Sequence, residues 1–382
     1  MDKRIYLLAA ISFVVGMVEL IVGGILDLVA LDLGVSVGRA GLLITVFALV
    51  FAISGPVLLF LVGQADRKRV MLASLLVFIV GNVVAVLSTT YAAMLLSRIL
   101  SAASGALLTV LCLTLAAQIS RPEYRGRAIG LVVMGIGGSI VLGLPIGVSL
   151  GHAYGWRSPF ILVALLATLL IGGVSAFLGP VPTQPPAPLK RQIQALRDRK
   201  ILFAHFTTFF FLAGHFTLYG YLTPFVIVAM GFGGALVTVV YFVYGAAAVT
   251  GGGLAGISAD AFGPRRTLLT TIVLLGVILL IIPHTTGVAP LFWCVLVLWG
   301  LLSWSITPSI QSHLVKLAPE TSDIQQSLNN AILHLGIALG TLVGSVVIDR
   351  FSVERNALVG ALLMSIALGT ALVTLRREGE GV

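Results

Sequence analysis

The chain has 382 residues, of which 58% are hydrophobic and only 10% are charged. Soluble domains carry about 25% charged residues, so this composition excludes a soluble protein and indicates one that crosses a membrane many times. The net charge of +9 lies in short basic clusters between apolar runs, which is typical of cytoplasmic loops and not of a nucleic-acid surface.

Twelve apolar segments are long enough to cross the hydrocarbon core as helices, which takes about 20 residues. Their continuous apolar character favours helices over the alternating strands of a barrel. The sequence therefore predicts an all-α membrane protein, with spans at 5–31, 38–62, 70–88, 91–119, 125–150, 156–179, 201–230, 235–258, 267–284, 288–315, 322–348 and 354–375.

The basic residues predict the orientation of these spans. With the N-terminus inside, 18 of the 23 Lys and Arg residues are cytoplasmic, four are external and Arg98 lies within a span. Because cytoplasmic loops are enriched in Lys and Arg, this asymmetry indicates that both termini are cytoplasmic. We expect a multi-pass membrane protein with this orientation.

Two acidic residues lie in the first apolar run, Glu19 and, eight residues later, Asp27. A carboxylate at membrane depth costs roughly 2.5–3.5 kcal/mol on insertion scales, and such residues are usually functional. Glu19 is a candidate for binding and releasing a proton in a transport pathway, with a structural hydrogen bond to a neighbouring helix as the alternative. Asp27 belongs either to the same cavity or, as a solvated acid, to the external end.

The fourth span adds a basic residue, Arg98. A buried arginine needs a carboxylate or several carbonyl groups around it. Glu19 is the first candidate for its partner and Asp27 the second, so these three residues are our candidates for proton coupling.

The loops after spans 2 and 8 resemble each other. The first contains Gly63, Asp66 and Arg67, and the second contains Asp260 in a similar order of glycine, acid and basic pair. Weak internal repetition of this kind is found in several transporter folds. Asp66 can cap a helix or pair with a cation at a cytoplasmic gate; a generic positive-inside loop is the alternative.

The middle of the chain is rich in proline between 180 and 188 and then basic up to residue 200. Proline interrupts helices and stiffens linkers. We predict an N-terminal six-helix bundle at 1–180, a cytoplasmic linker at 181–200 and a C-terminal six-helix bundle at 201–382.

Span 5 contains seven glycines and one proline, among them Gly143 and Pro145. Small residues let helices approach closely, and proline loosens the backbone hydrogen bonding. We regard Gly143 and Pro145 as gating candidates, together with Gly63, Asp66, Arg67 and Asp260. Ordinary tight packing is the alternative explanation.

Spans 7, 10 and 11 are dense in aromatic, amide and hydroxyl side chains. Aromatic rings can stack on a flat ligand while amides hydrogen-bond its edges; contacts between helices and an aromatic belt are the alternative. The candidate substrate-binding residues are His215, Tyr219, Tyr221, Trp304, Gln311, Gln325, Asn329 and Asn330.

With twelve spans, the repeated loop and the span 5 glycines, the chain resembles the major facilitator superfamily. Arg98 and the glycine-proline segment resemble those of its drug:proton antiporters. The stretches 214–225, 299–311 and 319–340 are similar to bacterial purine base and ribonucleoside efflux pumps, relatives of arabinose and other sugar exporters. The resemblance implies a proton-coupled antiporter of the inner (plasma) membrane that exports purines or nucleosides by alternating access. A multidrug or sugar exporter, or a passive facilitator or importer, is the alternative.

Enzyme classes fit this chain poorly. It has no Gly-rich phosphate loop ending in Gly-Lys, and its histidines have no nucleophile or acid at catalytic spacing. Cys112 and Cys294 both lie in apolar runs, so we expect no disulfide and no metal site. The expected partners are a small-molecule substrate, protons and membrane lipid, with no cofactor and no nucleic acid, and we expect a monomer.

Overall fold

The structure, a computed structural model, describes residues 2–179 and 198–375, and within them it contains helices and no strands. The helices form twelve segments long and apolar enough to cross a membrane, which confirms the predicted all-α fold. We number them as spans: 1, Arg4–Gly24 followed by Leu26–Asp32; 2, Val37–Leu61; 3, Arg67–Leu87; 4, Tyr91–Ile119; 5, Arg125–Gly138 and Leu144–Tyr154; 6, Ser158–Phe177; 7, Arg199–Tyr219 followed by Leu222–Met230; 8, Gly234–Phe262; 9, Pro264–Ile281; 10, Ala289–Ser303 and Ile306–Leu317; 11, Ser322–Arg350; 12, Arg355–Thr374.

Two of the helix breaks have a proline four residues downstream. Span 7 breaks at Gly220, four residues before Pro224, and span 10 breaks at Trp304, four residues before Pro308. A proline ring has no N–H and clashes with the carbonyl four residues earlier, which favours a break there, although span 2 continues through Pro56. In span 5 the same relation to Pro145 produces a π-helical segment, Ser139–Gly143.

Spans 1 and 7 break in the same way although only span 7 contains a proline. Span 1 was predicted as one continuous helix, but Ile25 interrupts it with φ −124° and ψ 22°. Tyr221 interrupts span 7 with φ −120° and ψ 23°. Each break follows a helix of 21 residues, so the first span of each predicted half has the same backbone design.

The contacts divide the chain into two compact units, one of residues 1–186 and 233–242 and the other of residues 187–232 and 243–382. The predicted linker 181–200 lies almost wholly outside the described residues. Asp198, near its end, caps the helix of span 7 by accepting from the N–H of Lys200 and Ile201. The predicted domain boundaries stay a prediction.

Spans 1 and 5 pack closely because glycine recurs along span 5. A β-carbon at Gly135 would collide with the backbone of Ala9, and one at Gly147 would collide with Ile21. Gly143 packs on Met17 in the same way, and the next turn brings Gly151 onto Ile25. Successive contacts are eight, four and four residues apart on both spans, which keeps one face of each helix in contact over about four turns.

The two similar loops use different devices to start the next helix. Asp66 accepts from the N–H of Arg69 at 2.9 Å and so caps span 3, which begins at Arg67 and not at the predicted residue 70. After span 8, Gly263 has φ +84°, a conformation that favours glycine, and span 9 begins at Pro264. The two loops therefore turn at corresponding positions, but one helix begins with an aspartate cap and the other follows a glycine with positive φ.

Candidate transport site

Arg98 of span 4 is completely buried. Its Nη1 donates to the carbonyl of Val18 at 3.1 Å, and its guanidinium carbon lies 4.1 Å from the centre of the Phe47 ring. Its Nε and Nη2 atoms are buried and have no hydrogen-bond partner among the residues that the structure describes. A cation desolvated in this way depends on nearby negative charge and on the face of the aromatic ring.

Glu19 supplies that negative charge. It follows Val18 directly, its side chain is half-buried, and its charge attracts the guanidinium of Arg98. The structure thus brings together the two residues that the sequence suggested as a pair. The glutamate side chain is half-buried, whereas the arginine side chain is completely buried. Their role in proton coupling stays a prediction.

Asp27 lies in the short helix that continues span 1, and it is half-buried. Its carboxylate oxygen Oδ1 is buried, as is Nε2 of His152 at the end of span 5, and neither atom has a hydrogen-bond partner in the described part of the chain. The two side chains interact electrostatically. Sequence reasoning missed His152, although it lies one residue after Gly151, which packs on Ile25 two residues before Asp27.

His215 of span 7 lies in an enclosed aromatic cluster. Trp299 Nε1 donates to His215 Nδ1 at 3.1 Å, and Tyr244 Oη lies 3.2 Å from His215 Nε2. Because an indole N–H can only donate, we assign the neutral tautomer with the proton on Nε2. Tyr219 stacks on the same imidazole with ring centres 5.1 Å apart.

This cluster leaves little of these side chains accessible. His215 is 2% exposed and Tyr219 is 6% exposed. Protonating His215 at Nδ1 would break the bond from Trp299, so in this conformation the imidazole is suited to hold the aromatic side chains in place and not to carry a proton. Its predicted contact with substrate, like that of Tyr219, stays a prediction.

A second polar network joins spans 7 and 11. His205 Nε2 lies 2.8 Å from Gln325 Oε1, and Asn329 Nδ2 donates to Thr208 Oγ1 at 2.8 Å and lies 3.3 Å from His205 Nδ1. Gln325 and Asn329 are both buried. Further along, Tyr221 is also buried and donates from its hydroxyl to the Thr341 carbonyl at 2.7 Å. These contacts are typical of polar residues that hold membrane helices together.

Three of the predicted substrate-binding residues remain accessible. Trp304 is 36% exposed, Asn330 is exposed and Gln311 is half-buried. The indole of Trp304 offers a surface on which a planar ligand can stack. The amides of Gln311 and Asn330 offer hydrogen-bond donors and acceptors for the edge of such a ligand. The structure therefore divides the predicted set into enclosed residues and these three.

The gating candidates also differ in their surroundings. Arg67 is 5% exposed, and its Nη2 donates to the Gly63 carbonyl at 3.5 Å, across the loop that precedes span 3. Asp260 of the second loop is exposed. Pro145 is buried next to the π-helical segment described above. None of these placements tests a gating role, which stays a prediction.

The profile of the Major Facilitator Superfamily matches residues 8–341. The chain belongs to this superfamily. Among its relatives is an uncharacterized MFS-type transporter, YbcL, of Bacillus subtilis (strain 168), which is 35% identical over 97% of this chain and 95% of the relative. A probable sugar efflux transporter of Mannheimia succiniciproducens is 24% identical over 96% of this chain and 92% of the relative.

Solved structures agree on the fold of this superfamily member. Two crystal structures of a bacterial homologue of the human lysosomal transporter Spinster superpose with TM-scores of 0.80 and 0.83. Each covers 97% of this chain, and they cover 95% and 96% of the solved chains at 15% and 14% identity. The protein is therefore a twelve-span major facilitator transporter and not an enzyme, as the sequence predicted, with a probable sugar efflux transporter among its relatives.

Proposed function

We propose that the protein is a proton-coupled antiporter that exports purine bases or nucleosides by alternating access. The observation that carries the proposal is the electrostatic pairing of Arg98, which is completely buried, with Glu19, which is half-buried. A membrane protein that keeps such a pair at considerable energetic cost usually uses it. We also propose the inner membrane as its location, with both termini cytoplasmic, and a monomer as its working form.

The pair offers a simple coupling device. When Glu19 faces the outside it binds a proton and its attraction for Arg98 falls. When it faces the cytoplasm it loses the proton to water, Arg98 holds it charged, and substrate binds in exchange.

Asp27 of span 1 and His152 of span 5 form a second pair of polar side chains that interact electrostatically. Within the described residues, Asp27 Oδ1 and His152 Nε2 are buried without a hydrogen-bond partner, so each atom has an unused hydrogen-bonding position. We propose that this pair takes part in coupling together with Glu19 and Arg98.

The accessible side chains support a planar, polar substrate. Trp304 can stack on a base while Gln311 and Asn330 hydrogen-bond its edge. The second candidate is a sugar, since one relative is described as a probable sugar efflux transporter. Sugars also stack on indole rings and hydrogen-bond to amides, so a transport assay is needed to distinguish a purine substrate from a sugar.

Transport into inverted membrane vesicles tests the proposed function. With the vesicle interior acidified, we expect a labelled purine nucleoside to accumulate inside, and to leak out when an ionophore collapses the pH gradient. Arabinose serves as the competing substrate under the same conditions. Equilibration without accumulation would show a passive facilitator, and accumulation only of the sugar would replace the purine assignment.

Replacing Trp304 by Ala tests the proposed ligand surface. Stacking of a base on an aromatic ring contributes about 1–3 kcal/mol, so we expect affinity for a purine to fall about 5- to 100-fold. Trp293→Ala is the matched control, because Trp293 lies on the same span but stacks on Phe232 with ring centres 6.0 Å apart. Equal losses in both variants, measured by equilibrium binding to the purified protein, would contradict a specific role for Trp304.

A further inference from the structure

A groove of about 480 Å³ runs along spans 8, 9 and 10, within the second unit. None of the candidate site residues described above lines this groove, although spans 8 and 10 contribute both to it and to the candidate site. Its lining combines two kinds of side chain, an arginine with several hydroxyl groups and a set of large apolar side chains.

The polar part is formed around the start of span 9. Arg266 lies in the first turn of that helix, is exposed and lines the groove. Thr267 and Thr270 follow it along the same wall, and Ser258 faces them from span 8. One cation surrounded by hydroxyl groups is a suitable environment for a phosphate.

The apolar part consists of side chains that remain exposed in the folded protein. Leu254 is 52% exposed and Phe262 is 67% exposed, and Leu301 and Leu302 complete this part of the wall. In a protein of twelve spans, large apolar side chains left exposed beside a helix are suited to contact with hydrocarbon.

The floor of the groove is held in place by direct backbone contact. A β-carbon at Gly251 of span 8 would collide with the backbone of Leu301 of span 10, so only glycine permits the two helices to approach this closely. Ser305 Oγ also donates to the Gly251 carbonyl at 3.2 Å. Spans 8 and 10 are therefore in direct backbone contact at the Gly251 side of the groove.

We propose that this groove binds an anionic phospholipid, with the phosphate at Arg266 and an acyl chain along Leu254, Phe262 and Leu301. Positive charge and hydroxyl groups complement the headgroup, and the exposed apolar wall complements the chain. Basic pockets between membrane helices are known to select anionic lipids by this combination. A soluble anion would use only the polar part.

Lipid-dependent thermal stability of the purified full-length protein in detergent tests the proposal. Arg266→Gln removes the proposed phosphate contact, and Arg265→Gln is the matched control because Arg265 is its exposed neighbour outside the groove lining. We expect phosphatidylglycerol, but not phosphatidylcholine, to raise the unfolding temperature of the wild type and of Arg265→Gln. In Arg266→Gln the affinity for phosphatidylglycerol should fall about fivefold, as expected for the loss of one basic residue beside an anionic headgroup.

Two further probes separate a lipid from a free anion. Inorganic phosphate and glycerol phosphate should leave the unfolding temperature unchanged, because neither occupies the apolar wall. An equal effect of either one would overturn the lipid assignment. Equal losses in the two arginine variants, or equal stabilisation by phosphatidylcholine, would likewise overturn the role of Arg266.

Discussion

Replacing Glu19 by Gln is expected to abolish accumulation of substrate against a gradient while leaving substrate binding in place. Glutamine has the same shape and can hydrogen-bond, but it cannot bind and release a proton in the range of physiological pH. In inverted vesicles with an acidic interior, uptake by the variant should fall to the level of vesicles that lack the protein. Binding of a purine to the purified variant should persist, which also shows that it folds.

Glu123→Gln provides the matched control for this experiment. Glu123 is exposed in the short helical turn before span 5, so its replacement should leave accumulation unchanged. If the Glu19 variant accumulated substrate as well as this control, Glu19 would have no part in coupling. Arg98 would then have to be explained as a structural residue.

The second large effect is expected on stability, from replacing Gly135 by Ala. A β-carbon there would collide with the Ala9 carbonyl oxygen, which belongs to the backbone and cannot turn aside as a side chain can. Overpacking of this kind costs about 1–3 kcal/mol, occasionally more. We expect a clear fall in the unfolding temperature of the purified protein in detergent, with a parallel loss of transport.

Gly130→Ala is the control on the same helix. Nothing lies within 4 Å of a β-carbon at Gly130, and alanine favours helix by up to about 1 kcal/mol over glycine. This variant should be as stable as the wild type or slightly more stable. Equal destabilisation of both variants would show that span 5 tolerates no substitution, and that the contact with span 1 is not the cause.

The fold was predictable because its main determinant is local. A run of about 20 apolar residues can satisfy its backbone hydrogen bonds in hydrocarbon only as a helix, so counting such runs predicted twelve spans. Helix ends were less predictable. Asp66 was recognised as a possible cap, yet span 3 was placed three residues too late, and nothing in the sequence around Ile25 indicates the break that the structure contains there.

The candidate site was predictable only where a residue is unusual by itself. Glu19 and Arg98 stand out because charge is rare inside spans, and the structure brings them into electrostatic contact. Phe47 and His152 could not be identified in this way, since a phenylalanine is ordinary in a span and a histidine near a helix end is ordinary too. Their positions beside Arg98 and Asp27 depend on how spans pack, which composition does not specify.

The aromatic and amide residues show a further limit of sequence reasoning. Polar side chains that bind a ligand and polar side chains that join two helices are the same residue types. Gln325 and Trp304 were equally good candidates by sequence, but Gln325 is wholly buried against His205, whereas Trp304 stays accessible. Only packing distinguishes the two cases.

Proton release on substrate binding is the most direct test of the claim that Glu19 exchanges its proton for substrate. The purified protein is mixed with a purine nucleoside in weakly buffered detergent solution, and the pH is followed with an indicator dye. We expect the wild type to release protons when substrate binds, and the Glu19→Gln variant to bind the nucleoside without release. Equal proton release from the variant, or binding by the wild type with no release, would contradict the coupling mechanism.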